Sequence, residues 1–161
     1  MTPNFWIFCC NPRANCDIAV VMGRKPEARS WRVHPNQNRV KKGDFGFIRS
    51  AHNQKNYMAD RKEHGLYVYC EVVSDVFPHN ESALADKDRS GAIEGIRPHV
   101  RLNYMKLGAP QRPLLSRTSL EASDPNLARE IFERSYMESC FPIHEAQFVR
   151  LCDLAELPLS N

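Results

Sequence analysis

A chain of 161 residues with 42% hydrophobic content can fill one core without disulfide or metal support, so a single domain spanning residues 1–161 is expected. No stretch nears the roughly 18 consecutive apolar residues of a membrane span, and the start lacks the features of a signal peptide. The expected location is therefore cytoplasmic, with no membrane partner. The net charge of +3 is unevenly spread: residues 13–62 carry 12 Lys and Arg against 4 Asp and Glu (+8), residues 63–120 carry 7 against 7, and residues 121–161 carry 3 against 8 (−5).

The six cysteines show no regular spacing, and the adjacent Cys9 and Cys10 fall on opposite sides of a predicted strand. Reduced thiols are the expected state. The sequence contains no CxxC or HExxH pattern and its histidines are scattered singly, so neither a zinc site nor another cofactor is expected.

In chain order, residues 5–9 form a short apolar run suited to a buried strand, broken by Asn11 and Pro12. Residues 14–22 have the apolar spacing of a short helix ending at Gly23. Residues 31–34 suit a brief strand, followed by irregular backbone at Pro35, Asn36 and Asn38. The clearest strands are residues 45–50, after a Gly43-Asp44 turn, and residues 66–74, where Leu66, Val68, Cys70 and Val72 make one apolar face. Residues 51–64 and 75–98 are long polar connections. A further strand alternates through Val100, Leu102, Tyr104 and Lys106. Ser123-Asp124-Pro125 then opens a helix with Leu127, Ile131 and Phe132 on one side, and residues 141–157 read as a last helix. About five strands with helices near the chain ends predict an α+β domain: a small curled β-sheet or β-barrel with helices packed at its ends.

The first strand, Phe5-Trp6-Ile7-Phe8-Cys9-Cys10-Asn11-Pro12, resembles the Y-W-L-x-K-S-E-P opening of the EVE domain, with Trp and Pro matching and Cys9, Cys10 and Asn11 replacing Lys, Ser and Glu. Trp31, Asn36, Gly43-Asp44 and Ser50 match a second segment, and Gly65 to Val73 matches a glycine-led strand ending in E-V-V. LLSRTS followed by FPIHEAQF resembles the family's closing segment. The resemblance covers nearly the whole chain and implies a PUA-like fold related to the YTH readers of methylated adenine.

That resemblance implies a non-catalytic domain that binds DNA or RNA and recognises a modified base, such as 5-methylcytosine, 5-hydroxymethylcytosine or N6-methyladenine. A flipped base needs stacking and edge hydrogen bonds in return for leaving its own stack. Trp31 is the candidate wall and Phe77 a second one, with Ser50, Cys10, Asn11 and Asn36 as edge contacts. Trp31 also fits a core tryptophan with its N–H satisfied, and core packing is the favoured reading of Trp6. Arg24, Lys25, Arg29, Arg32, Arg39, Lys41 and Lys42 are candidate phosphate contacts. Two alternatives belong to other classes. One is a small enzyme acting on a nucleotide or RNA, for which no phosphate loop or paired-carboxylate motif is visible; the other is an interaction module whose acidic end docks an effector protein.

Overall fold

The computed structural model describes residues 2–10, 16–50, 63–80, 95–133 and 139–158. Eight strands form one mixed sheet: β1 (Phe5–Cys10), β2 (Ser30–Arg32), β3 (Phe45–Ser50), β4 (Gly65–Val72), β5 (Phe77–Asn80), β6 (Ile96–Leu107), β7 (Leu115–Ser116) and β8 (Cys140–Ile143). The main path runs β2-β6-β4-β3-β1-β8, with β5 on β6 and β7 on β4. Among the described residues only β1 and β3 pair in parallel, in register from Phe5 opposite Phe45 to Cys10 opposite Ser50. That pairing demands close approach: a Cβ on Gly46 would stand 2.4 Å from the Trp6 carbonyl oxygen.

As the alternation predicts, the strands at residues 5–9, 45–50 and 66–74 share this curled sheet, and the architecture is α+β. The inner face gathers Trp6, Phe8, Cys10, Trp31, Ile48, Val68, Cys70, Val100 and Leu102, closed by α1 (Ile18–Met22), whose first turn is capped by Asp17. The outer face carries Ile7, Phe47, Leu66 and Tyr69 under α2 (Arg117–Ser123), α3 (Pro125–Phe132) and α4 (Glu145–Leu154). Ser116 caps α2, while Asp124 caps α3 with Pro125 in its first turn.

Simple alternation fails in two places. Ile48 pairs with Val68 but Arg49 pairs with Leu66, so Tyr67 is an extra residue in β4 and joins Val68 on the inner face. Likewise Met105 is extra where Tyr69 opposes Lys106 and Cys70 opposes Tyr104. Such bulges bend the strand and raise its twist. The predicted last helix begins later than expected, because residues 140–143 pair with β1 before α4 starts at Glu145. Pro142 does not prevent this, since β8 lies at the sheet edge, where a missing N–H is tolerated. Within the predicted polar connection 75–98, Phe77–Asn80 forms β5 opposite the start of β6; residues 51–62 and 81–94 lie outside the described residues.

The expectation of six reduced thiols meets a correction: Cys10 and Cys16 are joined in a disulfide, with Cα atoms 5.3 Å apart. Their separation of six residues suggested no framework; one stands at the end of β1 and the other just before α1. Cys9, Cys70, Cys140 and Cys152 form no disulfide and are buried. Burial pushes the Cys70 thiol well above its ordinary range. Non-reducing titration of the unfolded protein should therefore count four thiols, rising to six after reduction. Alkylation of Cys70 in the folded state should be slow at pH 8, as followed by mass spectrometry.

One carboxylate ties the start of this sheet together. Asp44, fully buried, accepts from the Trp6 indole N–H at 2.9 Å, the Asn4 amide at 2.9 Å and the Lys41 amide at 3.0 Å. Hydrogen bonds to a charged acceptor are each worth about 1.5–3 kcal/mol, and a stranded buried donor adds its own cost. Asp44→Ala should thus lower stability by about 3 kcal/mol or more, and Asp44→Asn by less, as read from urea midpoints at an unchanged denaturant slope.

Candidate functional site

The parallel pair β1–β3 ends at Cys10 and Ser50, adjacent on the inner face. Trp31, held on β2 opposite Val100, packs in the same inner core as Cys10. Its indole is 5% exposed, donates its N–H to the Ser139 carbonyl at 3.0 Å, and meets the Phe8 ring edge-on at 6.4 Å. These contacts are those of a packed tryptophan with its polar atom satisfied. The Arg24 guanidinium lies over the same ring, 6.0 Å from its centroid. Ser139 recurs as a junction: its carbonyl also accepts from the Cys9 amide, and its hydroxyl donates to the His34 carbonyl.

Asn36 is 9% exposed and donates its side-chain amide to the Cys140 carbonyl at 3.0 Å, a bond that fastens the loop after β2 to β8. Cys10 is fully buried and its sulfur is bonded to Cys16, so it has no thiol to offer a base edge. Ser50 is buried at the strand end. Asn11 lies outside the described residues. Trp31, Cys10, Ser50 and Asn36 are thus brought to one region, whereas Phe77 is not. Phe77 lies opposite His99, on the outer face of the sheet.

The basic candidates also divide. Arg24 faces Trp31, and Arg29 stacks on Tyr104 at 4.3 Å while donating to the Arg24 carbonyl. Lys25 is exposed beside them. Arg39, 5.7 Å from the Trp6 ring centroid, and Lys41 and Lys42 lie at the opposite, amino end of β1 and β3. Arg32 pairs with His99. Sequence proximity within residues 13–62 therefore does not make one basic face.

Arg49 was not singled out by sequence, although a lone arginine in the strand FGFIRS is the signal that could have revealed it. It is fully buried between the sheet and α3, donating from one terminal nitrogen to the Ile131 carbonyl at 2.7 Å, with its guanidinium 5.5 Å from the Phe141 ring centroid. Its Nε and second terminal nitrogen have no partner. Among the described residues, no group of three or more His, Cys, Asp or Glu is placed to hold a metal ion. Arg49→Met should leave the thermal midpoint unchanged or higher, because two stranded donors depart with a side chain of similar length. Arg49→Ala should lower the midpoint by opening a cavity.

No protein-family model matches the chain, and no curated protein sequence matches it. Solved structures do. The human THYN1 protein in complex with 5-methylcytosine-containing DNA superposes with a TM-score of 0.62 at 13% identity, covering 97% of this chain and 99% of that one. The DUF55 domain of human thymocyte nuclear protein 1 gives a TM-score of 0.58 at 12% identity, covering 96% and 99%. A Pseudomonas putida protein gives 0.57 at 13% identity, covering 94% and 99%. With this curled sheet, its parallel β1–β3 pair and its helices at the ends, the chain has the fold of an EVE-type (DUF55) domain, PUA-like in architecture.

Proposed function

We propose that the chain is a non-catalytic nucleic-acid-binding domain that takes up a modified base at the carboxyl end of β1 and β3. The observation that carries this reading is the Trp31 ring with a guanidinium over it, its N–H on the Ser139 carbonyl that also receives the Cys9 amide at the end of β1. A cation held over an aromatic face occupies the position a stacked base would take. In this reading the base displaces Arg24, whose charge then turns to a phosphate, and Lys25 follows the backbone. The likeness in fold to a protein solved with 5-methylcytosine-containing DNA supports the choice of ligand class. The same polymer chemistry, DNA or RNA, and the same three modified bases remain the candidates.

Stacking on an aromatic side chain is worth about 1–3 kcal/mol per base. Trp31→Phe, which keeps a ring, should retain the fold and lower discrimination between modified and unmodified oligonucleotides by about tenfold, whereas Lys25→Ala should weaken both equally, because phosphate contacts carry no sequence information. Trp31→Ala should itself cost about 3–5 kcal/mol of stability, since the side chain is buried. Affinities for oligonucleotides bearing 5-methylcytosine, 5-hydroxymethylcytosine or N6-methyladenine, measured beside melting temperatures, decide the matter. Equal affinity of the wild-type chain for every modified and unmodified strand, or full discrimination by Trp31→Phe, would sink the proposal.

A further inference from the structure

β6 carries β2 on one side and β5 on the other along its first half: His99 pairs with both Arg32 and Phe77, Arg101 pairs with Ser30, and Arg97 pairs with His79. Directly paired residues, and residues two apart on one strand, share a face. One face of this three-stranded lobe therefore holds Arg32, Arg97, Arg101, Phe77, His79 and His99. The opposite face sends Trp31 and Val100 into the inner core. The helices α2, α3 and α4 cluster with Ile7, Phe47, Leu66 and Tyr69 on the other half of the outer surface, and no side chain of the lobe's outer face belongs to that cluster.

The chemistry of this face is consistent across its width. None of the three strands contains an aspartate or glutamate. The Arg101 guanidinium lies 5.6 Å from the Phe77 ring centroid and donates to a backbone carbonyl, that of Glu27 at 2.7 Å, and not to a carboxylate. One terminal nitrogen of Arg97 donates only to its own neighbour's carbonyl, that of Ile96. Phe77, half-buried, meets His79 edge-on at 6.1 Å and His99 at 6.3 Å, and the two imidazoles lie 4.6 Å apart. Nε2 of His79 is buried with no partner.

From this juxtaposition we infer that the outer face of the β2–β6–β5 lobe is a second contact surface for a single-stranded polynucleotide, stacking one base on Phe77 with the His79 ring at its edge and holding phosphates on Arg97 and Arg101. The Arg97 and Arg101 guanidiniums, bonded among the described residues to carbonyls and not to carboxylates, suit a polyanion, and a flat ring between them suits an unstacked base. β2 joins the two regions, because it is an edge strand with Trp31 on its inner face and Arg32 on its outer face. A strand whose base lies against Trp31 thus crosses one short edge to reach the arginines. The inference rests on the proposed nucleic-acid reading and moves Phe77 from the pocket wall to this outer surface.

The test compares a trinucleotide with a twelve-nucleotide single strand, each bearing the same central modified base, against the wild-type chain, Phe77→Ala and Arg97→Gln/Arg101→Gln. The wild type should bind the longer strand more tightly. Phe77→Ala should lose about tenfold on the longer strand and nothing on the shorter. The double arginine variant should reduce the slope of log affinity against log salt by about 1.4, at roughly 0.7 per phosphate for a single strand. Full wild-type affinity and slope in both variants would overturn the surface while leaving the pocket reading intact. Absence of binding by the wild-type chain at either length would instead overturn the nucleic-acid reading on which it stands. Heparin bound as tightly as the longer strand, with Phe77→Ala indifferent to the oligonucleotide, would overturn base stacking here.

Discussion

The carboxylate of Asp44 is the constraint on which the sheet depends. A tryptophan in a parallel pair can be fully buried only if its N–H finds an acceptor, and Asp44 meets Trp6 from the first turn before β3. The same side chain fixes the Asn4 and Lys41 amides, while its backbone carbonyl accepts from Val72 at the end of β4. Three strands are thereby brought into register at their ends by one residue. The preceding Gly43 supplies the positive φ of 96° that the turn requires, and its amide also bonds the Val72 carbonyl.

From that anchored end the sheet opens into two unlike surfaces. The extra residues Tyr67 and Met105 turn β4 and β6 inward, so one face curls around Trp6, Phe8 and Trp31 while the other receives three helices. Because α2, α3 and α4 cluster over the other half of the outer face, the β2–β6–β5 lobe keeps Arg101 exposed and Phe77, His79 and Arg97 half-buried, over a buried His99. The proposed function divides between a tight inner end, built from Trp31 and its neighbours, and this outer lobe.

Sequence was most informative where hydrophobic period and turn chemistry agree. The strand at residues 45–50 has the expected bounds, that expected at 66–74 runs Gly65–Val72, and Asp124-Pro125 marks α3 by side-chain capping and a tolerated proline. The short strands were hidden because pairing, not periodicity, makes them: β5 is FPHN, which has no alternation of polarity, and β8 contains Pro142. The site was legible in part. Trp31 and Cys10 share the inner core and Ser50 pairs with Cys10, but the partners that satisfy Trp31 and Asn36, the carbonyls of Ser139 and Cys140, are more than a hundred residues away and carry no side-chain signature. Arg49 was read only as part of a strand: alternation puts it on the face of Phe45 and Phe47, but nothing in the sequence shows that α3, whose Ile131 carbonyl it meets, covers that face. The Cys10–Cys16 bond likewise depends on the path of the chain and not on spacing.

The proline in β8 has a consequence for what can approach the sheet. The Cys9 amide donates to the Ser139 carbonyl, which phases the β1–β8 ladder so that the nitrogen of Pro142 faces away from β1. The outward rim of β8 thus lacks a donor in the middle of its four residues, while the rim of β2 is three residues long and that of β5 contains Pro78. Edges of this kind resist the addition of another strand. Self-association by edge-to-edge pairing is disfavoured at all three, and a protein partner must be recognised through side chains or helices instead of through an added β-strand.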